Sequence, residues 1–214
     1  MLTGGAAVVV VGVTGGIATG KSVVCRVFEE LGGVVISADR VGHEVLGRAD
    51  VRDRLIEAFG RDMLSPDGTV DRRTLGKFVF GDPAARERLN QIVHPSLLAE
   101  VRRQIAALRA SGFGGVVVLD AALLIEWGPA GLVDYVVVVT APEDQQMARL
   151  VEQKGFSAEE AAQRVAAQVS PQERLRWADA VINASGSVSE TERQARGVWE
   201  AINSGCHSRE SGNL

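Results

Sequence analysis

Gly15-Gly16-Ile17-Ala18-Thr19-Gly20-Lys21-Ser22 is the stretch whose residue types and spacing carry the most chemistry. Its glycines let the backbone bend tightly, so that successive N–H groups can point inward at anionic oxygens. The pattern G-x-x-x-x-G-K-[ST] is that of a loop cradling the phosphates of a nucleoside triphosphate, here an ATP-like ligand. In that chemistry Gly16, Ile17, Ala18, Thr19, Gly20, Lys21, Ser22 and Val23 line the phosphates. Lys21 bridges the β- and γ-phosphates, and the Ser22 hydroxyl ligates Mg²⁺. A helix beginning near Gly20 adds its positive end and unpaired amides. The competing reading is a glycine-rich turn between a strand and a helix.

Elements of the right kind surround the loop. Ala6 to Val13 is an apolar, β-branched run that predicts a buried strand. Val23, Val24, Val27, Phe28 and Leu31 recur at helical spacing, and Gly32-Gly33 supplies a stop. Val34-Val35-Ile36 predicts a second strand that delivers Ser37-Ala38-Asp39-Arg40 to its carboxyl end, where ligand-binding residues of parallel sheets gather. Asp39 there has two readings. It acts on a substrate hydroxyl as a catalytic acid–base group, or it caps a helix beginning near Val41. Gly115 to Asp120 predicts a third strand closed by an acid, so Asp120 joins Ser22 as a candidate metal ligand. Tyr135 to Val139 and Ala180 to Asn183 complete the set. Near-continuous β-branched runs without alternation indicate strands covered on both faces. The fold class is therefore α/β, a five-stranded parallel sheet with a P-loop NTPase (nucleotide-kinase-like) core.

Two helical segments interrupt that core. Residues 41–112 contain no strand pattern and predict a helical acceptor-substrate region, with turns at Ser65-Pro66-Asp67-Gly68 and Gly81-Asp82-Pro83. Within it, Pro95 is expected to open a new helix after His94. Residues 142–177 predict helices from Glu143 to Lys154, Ala158 to Val169 and Pro171 to Ala178, carrying Arg149, Arg164, Arg174 and Arg176. Such a segment suits a lid whose arginines neutralise a transferring phosphoryl group. The plainer reading is a solvated face paired with Glu152, Glu159, Glu160 and Glu173. Most of the arginines are expected to be surface charge, with Arg149 the functional one. The core then comprises 6–40, 113–141 and 178–203, and 204–214 is expected to be a disordered tail.

Composition narrows the class. The 214 residues are 46% apolar and 23% charged, ordinary for a globular protein, and the net charge of −4 gives no global field for nucleic acid. Cys25 and Cys206 offer neither a disulfide framework nor metal spacing. No Lys or Arg precedes Lys21, and the first apolar run is about half the ~20 residues of a membrane span. The expectation is a cytoplasmic protein, a monomer acting on small molecules, with no nucleic-acid or membrane partner.

The chain also resembles the dephospho-coenzyme A kinases over roughly residues 8–200. Val11 to Ile17 with Thr19 to Ser22 is similar to that family's opening, and Ile36 to Asp39 to its second-strand motif. Asp71-Arg72 through Leu75, Val79-Phe80, Leu89-Asn90 and His94-Pro95 continue the likeness. Leu123-Leu124 with Glu126, Arg149-Leu150, Gln168, and Ala178-Asp179 with Val181-Ile182 follow in order. The resemblance implies transfer of the ATP γ-phosphate to the ribose 3′-hydroxyl of dephospho-coenzyme A, with Asp39 at the reacting hydroxyl and Arg149 over the phosphoryl group. It also implies acceptor contacts from Arg72, His94 and Leu123. Four positions depart from the family pattern. Ser37 replaces an acid, Ala122 a proline, Gln153 a lid arginine, and Ala184 the side chain of an adenine-side loop. Two rival readings stay open: another small-molecule kinase such as a nucleoside monophosphate kinase, and a nucleotide-dependent switch protein in which Asp39 only caps a helix.

Overall fold

The computed structural model describes residues 8–79 and 82–210, with 205–210 described by backbone alone. The start of the expected first strand at Ala6, the break at Gly81, the Cys206 side chain and residues 211–214 lie outside the described residues. The chain divides into two compact units, one through Ile36 and again from Leu108, the other Ser37–Ala107.

The first unit is built on strands β1 (Val9–Gly15), β2 (Val34–Ser37), β3 (Val116–Asp120), β4 (Tyr135–Thr140) and β5 (Ala180–Asn183). They form one sheet in the order β2-β3-β1-β4-β5. The β1 pairings with β3 and β4, and that of β4 with β5, are parallel. Alternation along the strands explains how both faces are covered. Val11, Val13, Val116, Val118, Val137, Val139 and Ile182 share one core cluster with Val24, Val27 and Phe28 of helix α1 (Lys21–Glu30). Ala195 and Ile202 of α10 (Val188–Glu210) join them, and the Phe28 and Trp199 rings meet at 5.4 Å. The intervening residue Gly12 faces the other way. Its missing Cβ leaves room for Leu124 of the short helix α6 (Leu124–Trp127) and for Val133. At the sheet's other end, Asp134 and Asp179 carboxylates accept the first free amides of β1 and β4, from Val10 N–H (2.8 Å) and Val136 N–H (2.7 Å).

The remaining helices of this unit are α7 (Glu143–Lys154), α8 (Ala158–Ala166) and α9 (Pro171–Leu175). Ser157 with Glu160 makes a capping box on α8, and the Ser170 side chain caps α9. α7 has the bounds its sequence suggests, α8 and α9 end earlier than theirs, and α10 continues through Glu210 into what is expected from sequence to be a tail.

The second unit contains α2 (Ala38–Leu46), α3 (Ala49–Phe59), α4 (Arg72–Val79) and most of α5 (Pro83–Ala110). It begins at Ser37 rather than at 41, because α2 follows β2 directly. The cap is Ser37, whose hydroxyl accepts Arg40 N–H (3.3 Å), so Asp39 lies in the first turn and is not the N-cap. A serine at this position supplies the capping oxygen that α2 needs. Pro95 sits inside α5 instead of opening a helix. Ile92, Leu97, Val101 and Ile105 keep one buried stripe across it, while Pro95 itself is exposed and Arg54 donates to Ile92 O (3.4 Å). The stripe's burial outweighs the hydrogen bond that proline removes.

No helix among the described residues is long and apolar enough to cross a membrane. Phe28 is fully buried between α1, the sheet and Trp199. Phe28→Ala is expected to lower unfolding free energy by about 3–5 kcal/mol in a denaturant titration. A loss under about 1 kcal/mol would show that this face of the core is loosely packed.

Candidate active site

The loop joining β1 to α1 is shaped by close approach and by strain. A Cβ on Gly15 would lie 2.6 Å from Val139 O and 2.8 Å from the Thr19 hydroxyl, so only glycine fits. Thr19 is buried and folds its hydroxyl back onto Gly16 O (2.8 Å), with its N–H on the same oxygen (3.3 Å). Ala18 has φ 57°, the sole positive φ outside glycine among the described residues, and Gly20 follows at φ 97°. A left-handed alanine is sterically costly and persists only where its surroundings fix it.

Helix α1 starts on this loop without help. Its N-cap Gly20 offers no side-chain bond, and its first turn carries no acid. Serines cap α2, α8 and α9 by contrast. The amides of Ala18, Gly20, Lys21 and Ser22 donate to no protein acceptor among the described residues. Unpaired N–H groups at an uncompensated positive helix end form an anion site. Three other loop amides are already committed: Ile17 N–H to Gln168 Oε1 (2.9 Å), Thr19 N–H to Gly16 O (3.3 Å) and Val23 N–H to Gly20 O (2.9 Å). These three amides are therefore not open donors in this structure.

Side chains of both signs surround it. Lys21 forms an ion pair with Asp120 at the end of β3, both side chains partly exposed. Asp120 also acts on Cys25. Burial first, then the Asp120 charge, raises this thiol far above its ordinary range, so it is an inert core thiol. Ser22 is exposed and its hydroxyl makes no hydrogen bond among the described residues. Arg149 of α7 lies against the loop: its guanidinium donates to Ala18 O (3.0 Å) and Ala184 O (2.7 Å), with Gln145 Oε1 at 3.4 Å. Ala184 contributes through its carbonyl, so the side chain absent there is not what holds Arg149. Ala122 likewise acts through its backbone, accepting the Thr14 hydroxyl (3.2 Å).

The other arginines divide by environment. Arg164 stacks on Phe156, 4.0 Å from the ring centroid, and Arg176 is exposed. Arg174 was expected at the surface but is only 5% exposed, and burial lowers its pKa against the opposing pull of Glu126. Gln153 is exposed on α7, and Leu123 is 43% exposed just before α6.

The structure thus gathers Lys21, Ser22, Asp120, Arg149 and the loop amides in one unit. Asp39, Arg72 and His94 belong to the other. Asp39 is exposed in the first turn of α2 and makes no hydrogen bond or ion pair among the described residues. Arg72 is exposed at the start of α4, next to Asp71, which caps that helix through Arg73 N–H (2.9 Å) and Thr74 N–H (3.3 Å). His94 is half-buried in α5, and burial lowers its pKa below 6.5 despite the opposing charge of Glu87. Burial thus favours the neutral form of this imidazole. Sequence reasoning missed Gln145 and Gln146 altogether, and quoted Gln168 without a role. Glutamines on a polar helix face carry no local signal of a partner far away in sequence.

The dephospho-CoA kinase family model matches residues 9–190. A dephospho-CoA kinase of Carboxydothermus hydrogenoformans is 42% identical over 186 residues, 86% of this chain and 90% of that one. A solved protein of Thermus thermophilus superposes with a TM-score of 0.75 at 28% identity, covering 91% of this chain and 97% of its own. The solved dephospho-CoA kinase from Campylobacter jejuni gives 0.60 at 25% identity, with 91% and 97% covered.

The fork of Arg149 on two carbonyls gives a direct test. Lysine cannot bridge both, so Arg149→Lys is expected to weaken ATP binding by about tenfold, roughly 1.4 kcal/mol, in an equilibrium titration. Unchanged affinity would remove Arg149 from the loop's support.

Proposed function

The chain belongs to the dephospho-CoA kinase family, enzymes that move the ATP γ-phosphate to the 3′-hydroxyl of dephospho-CoA, and from that premise we propose how its residues share the work. The amides of Ala18, Gly20, Lys21 and Ser22 hold the β- and γ-phosphates. Lys21 leaves Asp120 when nucleotide arrives and neutralises charge between those phosphates. The uncapped start of α1 is the observation that carries this reading, since nothing among the described residues satisfies those groups.

The donors suit a hard divalent cation. The Ser22 hydroxyl and the Asp120 carboxylate are oxygen ligands, and the described residues hold no cluster of three or more His, Cys, Asp or Glu that would make a cage. Such a site fits Mg²⁺, which binds through few protein oxygens plus phosphate and water. Mg²⁺ would add charge neutralisation on the phosphates.

Asp39 orients the acceptor hydroxyl and takes its proton as the new P–O bond forms and the bond from the γ-phosphorus to the bridging oxygen breaks, that oxygen leaving on ADP. Its exposure and freedom from capping duty support that role. Because charge spreads over the transferring group in a loose transition state, positioning outweighs basicity. Arg149 supports the loop and stabilises the phosphoryl group, and residues 142–177 act as the lid. Arg72, His94 and Leu123 contact the acceptor, His94 as a neutral hydrogen-bonding group. The enzyme works as a cytoplasmic monomer on small molecules, a reading compatible with its net charge of −4.

ADP release should depend on dephospho-CoA and yield coenzyme A by mass, with AMP and CMP giving far less. Asp39→Asn is expected to lower turnover at least about tenfold, about 1.4 kcal/mol of barrier, with ATP affinity little changed. Lys21→Ala should cripple turnover and weaken ATP binding together. A turnover loss under tenfold in Asp39→Asn would deny that carboxylate its role, and wild-type behaviour of Lys21→Ala would remove the loop assignment.

A further inference from the structure

The segment around the strained Ala18 is held from both sides, by a side chain of α7 and by one of the α8–α9 link. On one side Arg149 donates to Ala18 O (3.0 Å). On the other, Gln168 accepts Ile17 N–H (2.9 Å), fixing the Gly16–Ile17 peptide, the one preceding the Ile17–Ala18 bond. Gln168 lies in the link between α8 and α9, more than a hundred residues along the chain from the loop, with |i−j| of 151.

A second glutamine completes the grip. Gln146 of α7 is 6% exposed and donates Nε2 to Ala141 O (2.8 Å), which leaves Oε1 facing Gly16. A Cβ on Gly16 would lie 2.9 Å from Gln146 Oε1 and 3.0 Å from Gln168 Oε1. A side chain at Gly16 would thus press on two glutamine amide oxygens, which would have to shift to admit it.

We propose that Gln168 is a positioning residue for phosphoryl transfer. It holds the Gly16–Ile17 segment so that Ala18 keeps its left-handed turn and the following amides stay aimed at the phosphates. With Arg149 and Gln146 it ties the state of the loop to α7 and the α8–α9 link. Release of this bond lets Ala18 relax toward its ordinary backbone region, and the cradle loses its shape. The proposal rests on the phosphate-loop reading, which Lys21→Ala tests separately.

Gln168→Met keeps the side chain's length and removes its acceptor. The expected result is ATP affinity weakened about five- to tenfold, as for loss of one hydrogen bond, and a fall in kcat. KM for dephospho-CoA should stay within about twofold and Tm within about 2 °C. Adding Ala18→Gly, which makes the left-handed conformation easy, should restore part of the lost ATP affinity. A merely structural role would not produce that rescue. ATP affinity of Gln168→Met within twofold of wild type would overturn the proposal. So would a loss shared equally by both substrates, accompanied by a fall in Tm and no rescue from Ala18→Gly.

Discussion

An unsatisfied helix end is the constraint on which the active unit depends. α1 begins with amides that no side chain caps and no acid compensates, at the point where β1 delivers the chain. Left alone, such a start costs free energy that packing must offset. The offset comes from Val24, Val27 and Phe28, buried against Val11, Val13 and α10. A well-packed helix can afford an open positive end, and such an end suits an anion.

Glycine positions show how close packing and chemistry meet. Gly12 admits Leu124 to the face opposite α1, Gly15 admits Val139 O, and Gly16 admits two glutamine oxygens. The loop is therefore no loose flap. It is pressed between the strand beside it and the side chains of α7 and the α8–α9 link, with Ala18 held at φ 57°. The Lys21–Asp120 ion pair supplies a resting partner for the one loop cation until phosphate competes for it. Family membership says which reaction is run; this geometry shows what holds the loop in its shape.

The sheet and the loop were legible in sequence because each has a local signature. Runs such as Val116 to Leu119 and the glycine spacing around Lys21 can be read without knowing what lies across the fold. What escaped depends on distant partners. Gln146 and Gln168 look like surface residues until they are seen against Gly16. Arg174 reads as solvated charge, yet tertiary packing buries it. Pro95 reads as a helix boundary, but the stripe from Ile92 to Ile105 carries α5 through it. Asp39 was an open contest between cap and catalyst. Ser37 settled the capping half by lying one residue before α2, a register that no periodicity could reveal.

Amide hydrogen exchange across the loop tests the central claim most directly. Without nucleotide, Ile17 N–H should be protected through Gln168 while the amides of Ala18, Gly20, Lys21 and Ser22 exchange quickly; ATP should then protect those of Ala18, Gly20, Lys21 and Ser22. Exchange at these amides that is already slow in the free protein, or indifferent to ATP, would contradict a loop held open for phosphate.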